Sequence, residues 1–205
     1  YFIKDLRQVA FLGGHQGSIV SLAYHQDGQK LVCGTSRLEN TIKVWNVNQK
    51  TATAQYLGHT GDVLGIAFSK QGNNLASVSL DGSIRLWLTS EVKAPETLQQ
   101  SSSPVWVVAN RGKRLLMAGA DKLAHVRDVE TGKDLSIFRE HASPITAGCF
   151  RPDGAEVATG GGDNTIRLWN PETGQQTASL TGHQGVITAL AYSPDGKRLF
   201  SSSAD

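Results

Sequence analysis

His59, Asp81 and Ser77 or Ser79, with Trp87 close behind, hold the side chains of a serine hydrolase. Such a site needs a hydroxyl nucleophile, an imidazole to take its proton and a carboxylate to orient the imidazole. The same types return as His141, Thr159, Asp163 and Trp169, and in part as His183, Ser201 and Asp205. A catalytic constellation normally occurs once, whereas a structural set recurs with the unit it stabilises. Buried imidazole, carboxylate, hydroxyl and indole groups can satisfy one another. The recurrence therefore points to structural hydrogen bonding, and no catalytic residue is assigned.

The remaining chemistry is sparse. There is no Cys-x-x-Cys, His-Glu-x-x-His, Walker-type loop or haem-attachment sequence, and Gly160-Gly161-Gly162 lies at a strand end with no helix to follow it. His25 and His125 are isolated, which suits a solvated surface better than a metal site. Cys33 and Cys149 are the only cysteines, too few for a disulfide framework or a multi-cysteine zinc site, and both read as small apolar strand residues. No metal or cofactor is expected. Twenty basic residues against 18 acidic ones leave a formal charge of +2, so no nucleic-acid partner is expected. No apolar run approaches the roughly 20 residues of a spanning helix, and Tyr1-Phe2-Ile3-Lys4-Asp5 lacks a secretion signal pattern. No membrane insertion is expected; the compartment stays open, with the cytoplasm as the default expectation.

The elements that position these residues come from a repeat. Gly14-His15, Gly58-His59, Glu140-His141 and Gly182-His183 open similar segments, and Trp45, Trp87, Arg127 and Trp169 follow at intervals of 42, 40 and 42. The interval from Trp45 to His59 is 14, as it is from Arg127 to His141 and from Trp169 to His183. Each period reads as four short strands, a to d. In the fourth copy these are Ile145 to Phe150, Glu156 to Gly160, Thr165 to Trp169 and Gln176 to Leu180, joined by the turns Pro152-Asp153-Gly154, Asp163-Asn164 and Glu172-Thr173-Gly174. Asp27-Gly28, Gln71-Gly72, Arg111-Gly112 and Asp195-Gly196 recur at the matching a to b turn. Nothing has helical period.

Units that open with Gly-His and close near Trp resemble the WD40-repeat β-propeller family, in which each repeat supplies a four-stranded blade. The resemblance is sharpest in copies two and four, as in Gly58-His59 with Asp81-Gly82-Ser83-Ile84-Arg85-Leu86-Trp87. The literal Trp-Asp pair is never complete: Trp45-Asn46, Trp87-Leu88 and Trp169-Asn170 keep the Trp, and Arg127-Asp128 keeps the Asp. The resemblance implies an all-β propeller. It also implies a hydrogen-bonded set inside each blade, drawn from His15 and Trp45; His59, Ser77, Asp81 and Trp87; His141, Thr159, Asp163 and Trp169; and His183, Ser201 and Asp205. In copy one the b to c turn is two residues longer, with Glu39 nearest the Asp position and Cys33 nearest the hydroxyl, so a rearranged set is expected there.

The expected organisation is a single propeller. Residues 1–12 form strand d of a preceding repeat, 13–56 repeat one, 57–97 repeat two, 98–138 a degenerate repeat three, 139–180 repeat four and 181–205 a truncated repeat five. Copy three carries Ser101 at the His position, Arg127 at the Trp position and Met117 at the hydroxyl position, and the polar stretch from Thr89 to Ser103 suggests a loosened outer edge. Tyr1 falls at a Trp position, Val9 to Leu12 align with strand d, and nineteen strands can be counted. About five blades are visible, the last incomplete, inside a propeller of seven or more blades, with a five-bladed or partner-completed ring as the alternative. Trp106, outside the repeat position, reads as core packing or as an exposed contact.

Alternating strand direction puts the d to a and b to c connections on one face and the others on the opposite face. The first face collects Ser18, Arg37, Leu38, Glu39, Asp62, Leu80, Pro144, Gly162 and Val186, and the resemblance implies that peptides bind there. The second collects Lys30, Lys70, Arg111, Lys113, Arg114, Arg151, Lys197 and Arg198, offset by Asp27, Asp153, Glu156 and Asp195, a mixed-charge solvated rim. The expected function is a non-catalytic scaffold for a protein or peptide partner, within a multisubunit complex. The alternatives are an accessory domain of a larger enzyme or electron-transfer protein, or a hydrolase with its site at the propeller axis.

Overall fold

β-Branched and apolar runs punctuated by Gly and Asp turns yield strands and nothing else. The computed structural model describes residues 11–25, 27–69, 72, 74–89, 96–100 and 103–205, and among these every regular element is a β-strand. The first sheet holds β1 (Ile19–Tyr24), β2 (Lys30–Thr35), β3 (Ile42–Asn46) and β4 (Thr51–Tyr56). The second holds β5 (Val63–Phe68), β6 (Asn74–Ser79), β7 (Ser83–Leu88) and β8 (Glu96–Gln100). The third holds β9 (Val105–Arg111), β10 (Arg114–Gly119), β11 (Ala124–Asp128) and β12 (Asp134–Phe138). The fourth holds β13 (Ile145–Phe150), β14 (Val157–Gly161), β15 (Ile166–Trp169) and β16 (Gln176–Leu180), and the fifth pairs β17 (Ile187–Tyr192) with β18 (Leu199–Ser203). All pairing is antiparallel between strands adjacent in sequence, so each sheet is a meander.

The all-β reading of repeated four-stranded units therefore stands, with four complete sheets and a two-stranded fifth in an unclosed arc among the described residues. The nineteenth strand expected at Val9 to Leu12 falls largely outside the described residues, and Phe11 and Leu12 are not in a strand. Tyr1, Lys70, Gln71 and Ser101 also lie outside them, with much of the connection between Thr89 and Ser103. Within that stretch β8 forms and pairs with β7, so part of the polar composition sits in an outer strand.

The innermost strands β1, β5, β9, β13 and β17 follow one another around the arc. Successive residues of a strand point to opposite faces, so β6, β10 and β14 each pack on two neighbouring sheets. Leu115 and Met117 of β10 join Ala76, Val78 and Ile84 of the second sheet, while Leu116 meets Phe150, Val157 and Trp169 of the fourth. Val32 and Val44 meet Leu75 and Trp87 between the first two sheets, and Ala158 and Ile166 meet Ile187 between the last two. Burying one such aliphatic chain is worth about 1.5–3 kcal/mol, so these contacts between sheets contribute substantially to the fold.

Close approach limits side chains at Gly160, where a Cβ would lie 2.7 Å from Ile187. A bulge near the start of the inner strand recurs in all five a–b pairs, between Ile19 and Ser21, Val63 and Gly65, Ile145 and Ala147, Ile187 and Ala189, and opposite Ala118/Gly119. It twists each pair alike. Hydroxyls then tie sheet to sheet: Ser21 Oγ donates to the Val63 carbonyl at 2.8 Å, and Thr146 Oγ1 to that of Ile187.

Candidate functional site

Turns on the first face bring three of the polar sets together. In the second sheet His59 enters from the connection before β5, Ser77 from β6, Asp81 from the β6–β7 turn and Trp87 from β7. His59 Nδ1 lies 2.9 Å from Asp81 Oδ2 and Nε2 lies 2.7 Å from Ser77 Oγ, which accepts the Trp87 indole N–H at 2.8 Å. An ionised Asp81 only accepts, so Nδ1 carries the proton and Nε2 accepts from Ser77. Every proton in the chain from indole to hydroxyl to imidazole to carboxylate is then used. Asp81 also accepts the Thr60 N–H at 2.9 Å and the Ser83 hydroxyl at 2.6 Å.

The fourth sheet repeats this set. His141 Nδ1 is 2.9 Å from Asp163 Oδ2, Nε2 is 2.9 Å from Thr159 Oγ1, and the Trp169 N–H reaches Thr159 at 3.2 Å. In the fifth, His183 is 3.1 Å from Asp205 Oδ2 and 2.9 Å from Ser201 Oγ, in a more exposed setting. The sequence separations, 22 from His to Asp and 18 from His to hydroxyl, are identical in all three.

Burial pushes the His59 and His141 imidazoles down, against the pull of Asp81 and Asp163, which holds less strongly. For the carboxylates burial acts upward but is outweighed. Hydrogen bonds from Ser83, Thr60 and His59 hold Asp81 far below the usual carboxylate range, and those from Thr165, His141 and Ala142 lower Asp163. Ser77 and Thr159 are fully buried. Each donates its proton and accepts an indole N–H, and no carbonyl substrate can reach it.

The first sheet departs from the set. His15 and Trp45, named with the network residues, require correction: both ring nitrogens of His15 and the indole N–H of Trp45 are buried without a hydrogen bond among the described residues. The cause is local. Cys33 stands opposite Lys43 where Ser77 stands opposite Arg85, so a thiol, a weak acceptor, replaces the hydroxyl. Glu39 turns to Lys43 at 2.8 Å and leaves His15 at 3.7 Å. His15 instead packs its ring on Trp45 with centroids 5.5 Å apart. In the third sheet Arg127 replaces the Trp and bonds Asp134 at 2.8 Å, beside His125 at 3.1 Å from the same carboxylate. Asp121 caps its own turn through the Leu123 N–H. His125 is thus paired on the surface.

The face residues are placed by one recurring backbone bond. N–H groups of Ser36, Leu80, Ala120, Gly162 and Ala204 donate to the carbonyls of Ser18, Asp62, Pro104, Pro144 and Val186, at 2.9 to 3.0 Å. Pro104 and Ala120 complete the set in the third sheet; sequence reasoning passed over them, although the repeat alignment marks the position. Arg37 takes a left-handed φ of 62° and its N–H bonds Asp62 at 2.9 Å, while Asn40 Nδ2 reaches the Thr60 carbonyl at 3.2 Å. Leu38 is thereby held outward, 82% exposed, and Leu80 is 49% exposed; Ser18 and Val186 are exposed, and Pro144 and Gly162 half-buried. Glu39 is a second correction: its side chain is 8% exposed and faces Lys43, so it is no contact residue.

Trp106 is half-buried and lines the inner cleft with Ile66, Val108 and Ala147. On the second face Lys113 pairs with Glu130 at 2.8 Å, Arg114 with Glu172 at 2.6 Å and Arg151 with Asp153 at 2.9 Å. Among the described residues no group of three or more His, Cys, Asp or Glu could hold a metal ion, and no helix is long and apolar enough to cross a membrane.

The profile described as WD domain, G-beta repeat matches residues 6–46, 50–87, 132–170 and 174–205, and leaves 88–131 unmatched. Similar curated proteins include Pre-mRNA-processing factor 19 of Oryza sativa subsp. japonica, 38% identical over 40% of this chain and 15% of that protein. The U5 small nuclear ribonucleoprotein 40 kDa protein of Dictyostelium discoideum is 31% identical over 72% of this chain and 42% of its own length. F-box-like/WD repeat-containing protein TBL1X of Homo sapiens is 27% identical over 65% and 25%. The chain thus spans less than half the length of these relatives.

Proposed function

Because the chain belongs to the WD40 family of β-propeller repeats, we propose that it is a non-catalytic scaffold that binds a protein or peptide on the face carrying Ser18, Arg37, Leu38, Asp62, Leu80, Pro144, Gly162 and Val186. The observation that carries this reading is the exposure of Leu38 and Leu80, 82% and 49%, on turns whose backbone is fixed by hydrogen bonds. Apolar side chains held outward by a rigid frame lose little entropy on binding. The pairing of Lys113, Arg114 and Arg151 with carboxylates on the opposite face supports a protein partner over nucleic acid. Work within a multisubunit complex is part of the proposal, supported by one relative named for a ribonucleoprotein.

The sealing of Ser77 and Thr159 opposes a hydrolase. The test is selection of binding peptides from a display library on the 205-residue chain, followed by Leu38→Asp and Leu80→Asp. The expected result is loss of peptide binding by at least roughly tenfold for each, with the melting temperature unchanged. Peptides that bind both variants at full affinity contradict the assignment of this face.

A further inference from the structure

The junction between the second and third sheets departs from the pattern of the arc in three places at once. The inner strand ends in an aromatic residue in four sheets, at Tyr24, Phe68, Phe150 and Tyr192, but β9 has Asn110 there, opposite Leu115 as Phe150 is opposite Val157. Arg127 stands where Trp45, Trp87 and Trp169 stand, and its side chain turns away to Asp134. The a to b turn glycines of the second, fourth and fifth sheets meet a long side chain of the preceding sheet: Gly72 meets His25, Gly154 meets Arg111 and Gly196 meets Arg151. At the third sheet the matching neighbour is the short Ser69, and nothing lies within 4 Å of a Cβ position on Gly112.

A recess of about 200 Å³, open to solvent, results at this junction on the second face. Ala76, Leu86 and Val129 give it apolar walls, Asn110 lies within, and Lys113 and Glu130, 2.8 Å apart, neutralise each other in its lining. Asn110 Oδ1 is buried and has no hydrogen-bond partner among the described residues. Buried acceptors are almost always paired in folded proteins, so this one calls for a donor from outside the chain.

We propose that the recess is a binding pocket for a neutral aromatic side chain bearing an N–H or O–H donor, an indole or a phenol, presented by a peptide segment of a protein partner. The ring occupies the space that Phe150 and Trp169 fill at the next junction, and its donor satisfies Asn110 Oδ1. The paired charges favour neither an anion nor a cation. This site lies on the face opposite Leu38 and Leu80, so the two proposals stand or fall separately.

The test is a titration of the methyl-labelled 205-residue chain, followed by NMR. Its probes are indole, 1-methylindole, a blocked pentapeptide with a central tryptophan and the same peptide with leucine. Saturable shifts confined to the methyls of Ala76, Leu86 and Val129 are expected with indole and the tryptophan peptide. Binding should be weaker by roughly tenfold for 1-methylindole, which leaves the acceptor unpaired. Asn110→Phe, the residue type of other inner strands, should abolish binding. Asn110→Ala should bring indole and 1-methylindole to within roughly twofold of each other, and it keeps the test decisive if the Phe variant folds poorly. Absent or scattered shifts, or equal binding of the two indoles by the unmodified chain, overturn the proposal. Indole binding without peptide binding overturns its assignment to a partner's side chain.

Discussion

The fourth and third sheets are built from the same strand order and nearly the same lengths, yet they are held differently. The fourth combines Phe150, Trp169 stacked at 5.1 Å on Phe138 of the third sheet, and a closed His141–Asp163–Thr159–Trp169 circuit. The third has Asn110, Arg127 and Met117 at the corresponding places and relies on aliphatic contacts of Leu115, Leu116 and Val126. The pairing of four strands is therefore independent of the polar circuit. What the circuit adds is a fixed connection between the incoming loop and the b to c turn, the two segments that form the first face.

The sharpest break in this comparison is Trp169→Ala. It removes a fully buried indole and the donor to Thr159, and it should cost about 3–5 kcal/mol in denaturant unfolding. Arg127→Ala, which removes a mostly buried side chain paired with Asp134 at the same repeat position, should cost less, about 1–3 kcal/mol. Equal losses would mean that the two sheets are held alike. Next comes His141→Ala, expected to lower stability by about 1–3 kcal/mol because Asp163 and Thr159 lose a buried partner. An unchanged melting temperature would remove the circuit from the account.

The first sheet permits the opposite experiment. Cys33→Ser should supply the hydroxyl that Trp45 Nε1 and His15 lack, and raise stability by about 0.5–1.5 kcal/mol. A loss would show that the longer turn at Glu39 has already displaced His15 too far. The smallest effect concerns acid. The folded-state pKa of His141 is lowered, so its contribution is fully present above the unfolded value of 6.5 and declines as pH falls below it. Asp163 is also lowered, so its contribution is present above 3.8 and is lost only in stronger acid, through its folded value. His141→Gln should flatten the stability profile just below pH 6.5 while leaving the steeper loss in stronger acid.

Much of this was legible in residue order. Turn chemistry at Pro152-Asp153-Gly154 and the 42-residue interval between Trp45 and Trp87 fix strands and repeat because they act locally. β13 and β16 lie where the fourth copy places them. Arg127 marks the odd sheet by type alone. The inward turn of Glu39 was not legible, since it depends on Lys43 across the turn rather than on spacing. Nor was the recess at Asn110. It is a void shared by two sheets, and it shows only when Ser69 of one is set against Gly112 of the other.

The central claim is that the repeated His–Asp–hydroxyl sets are closed structural circuits, not active sites. Ring ¹⁵N NMR of histidine across a pH titration tests it most directly. His59 and His141 should both show the neutral Nδ1–H tautomer at pH 7 and titrate below 6.5. A resonance for either that titrates at or above 6.5, or that reports the Nε2–H tautomer, would contradict the account.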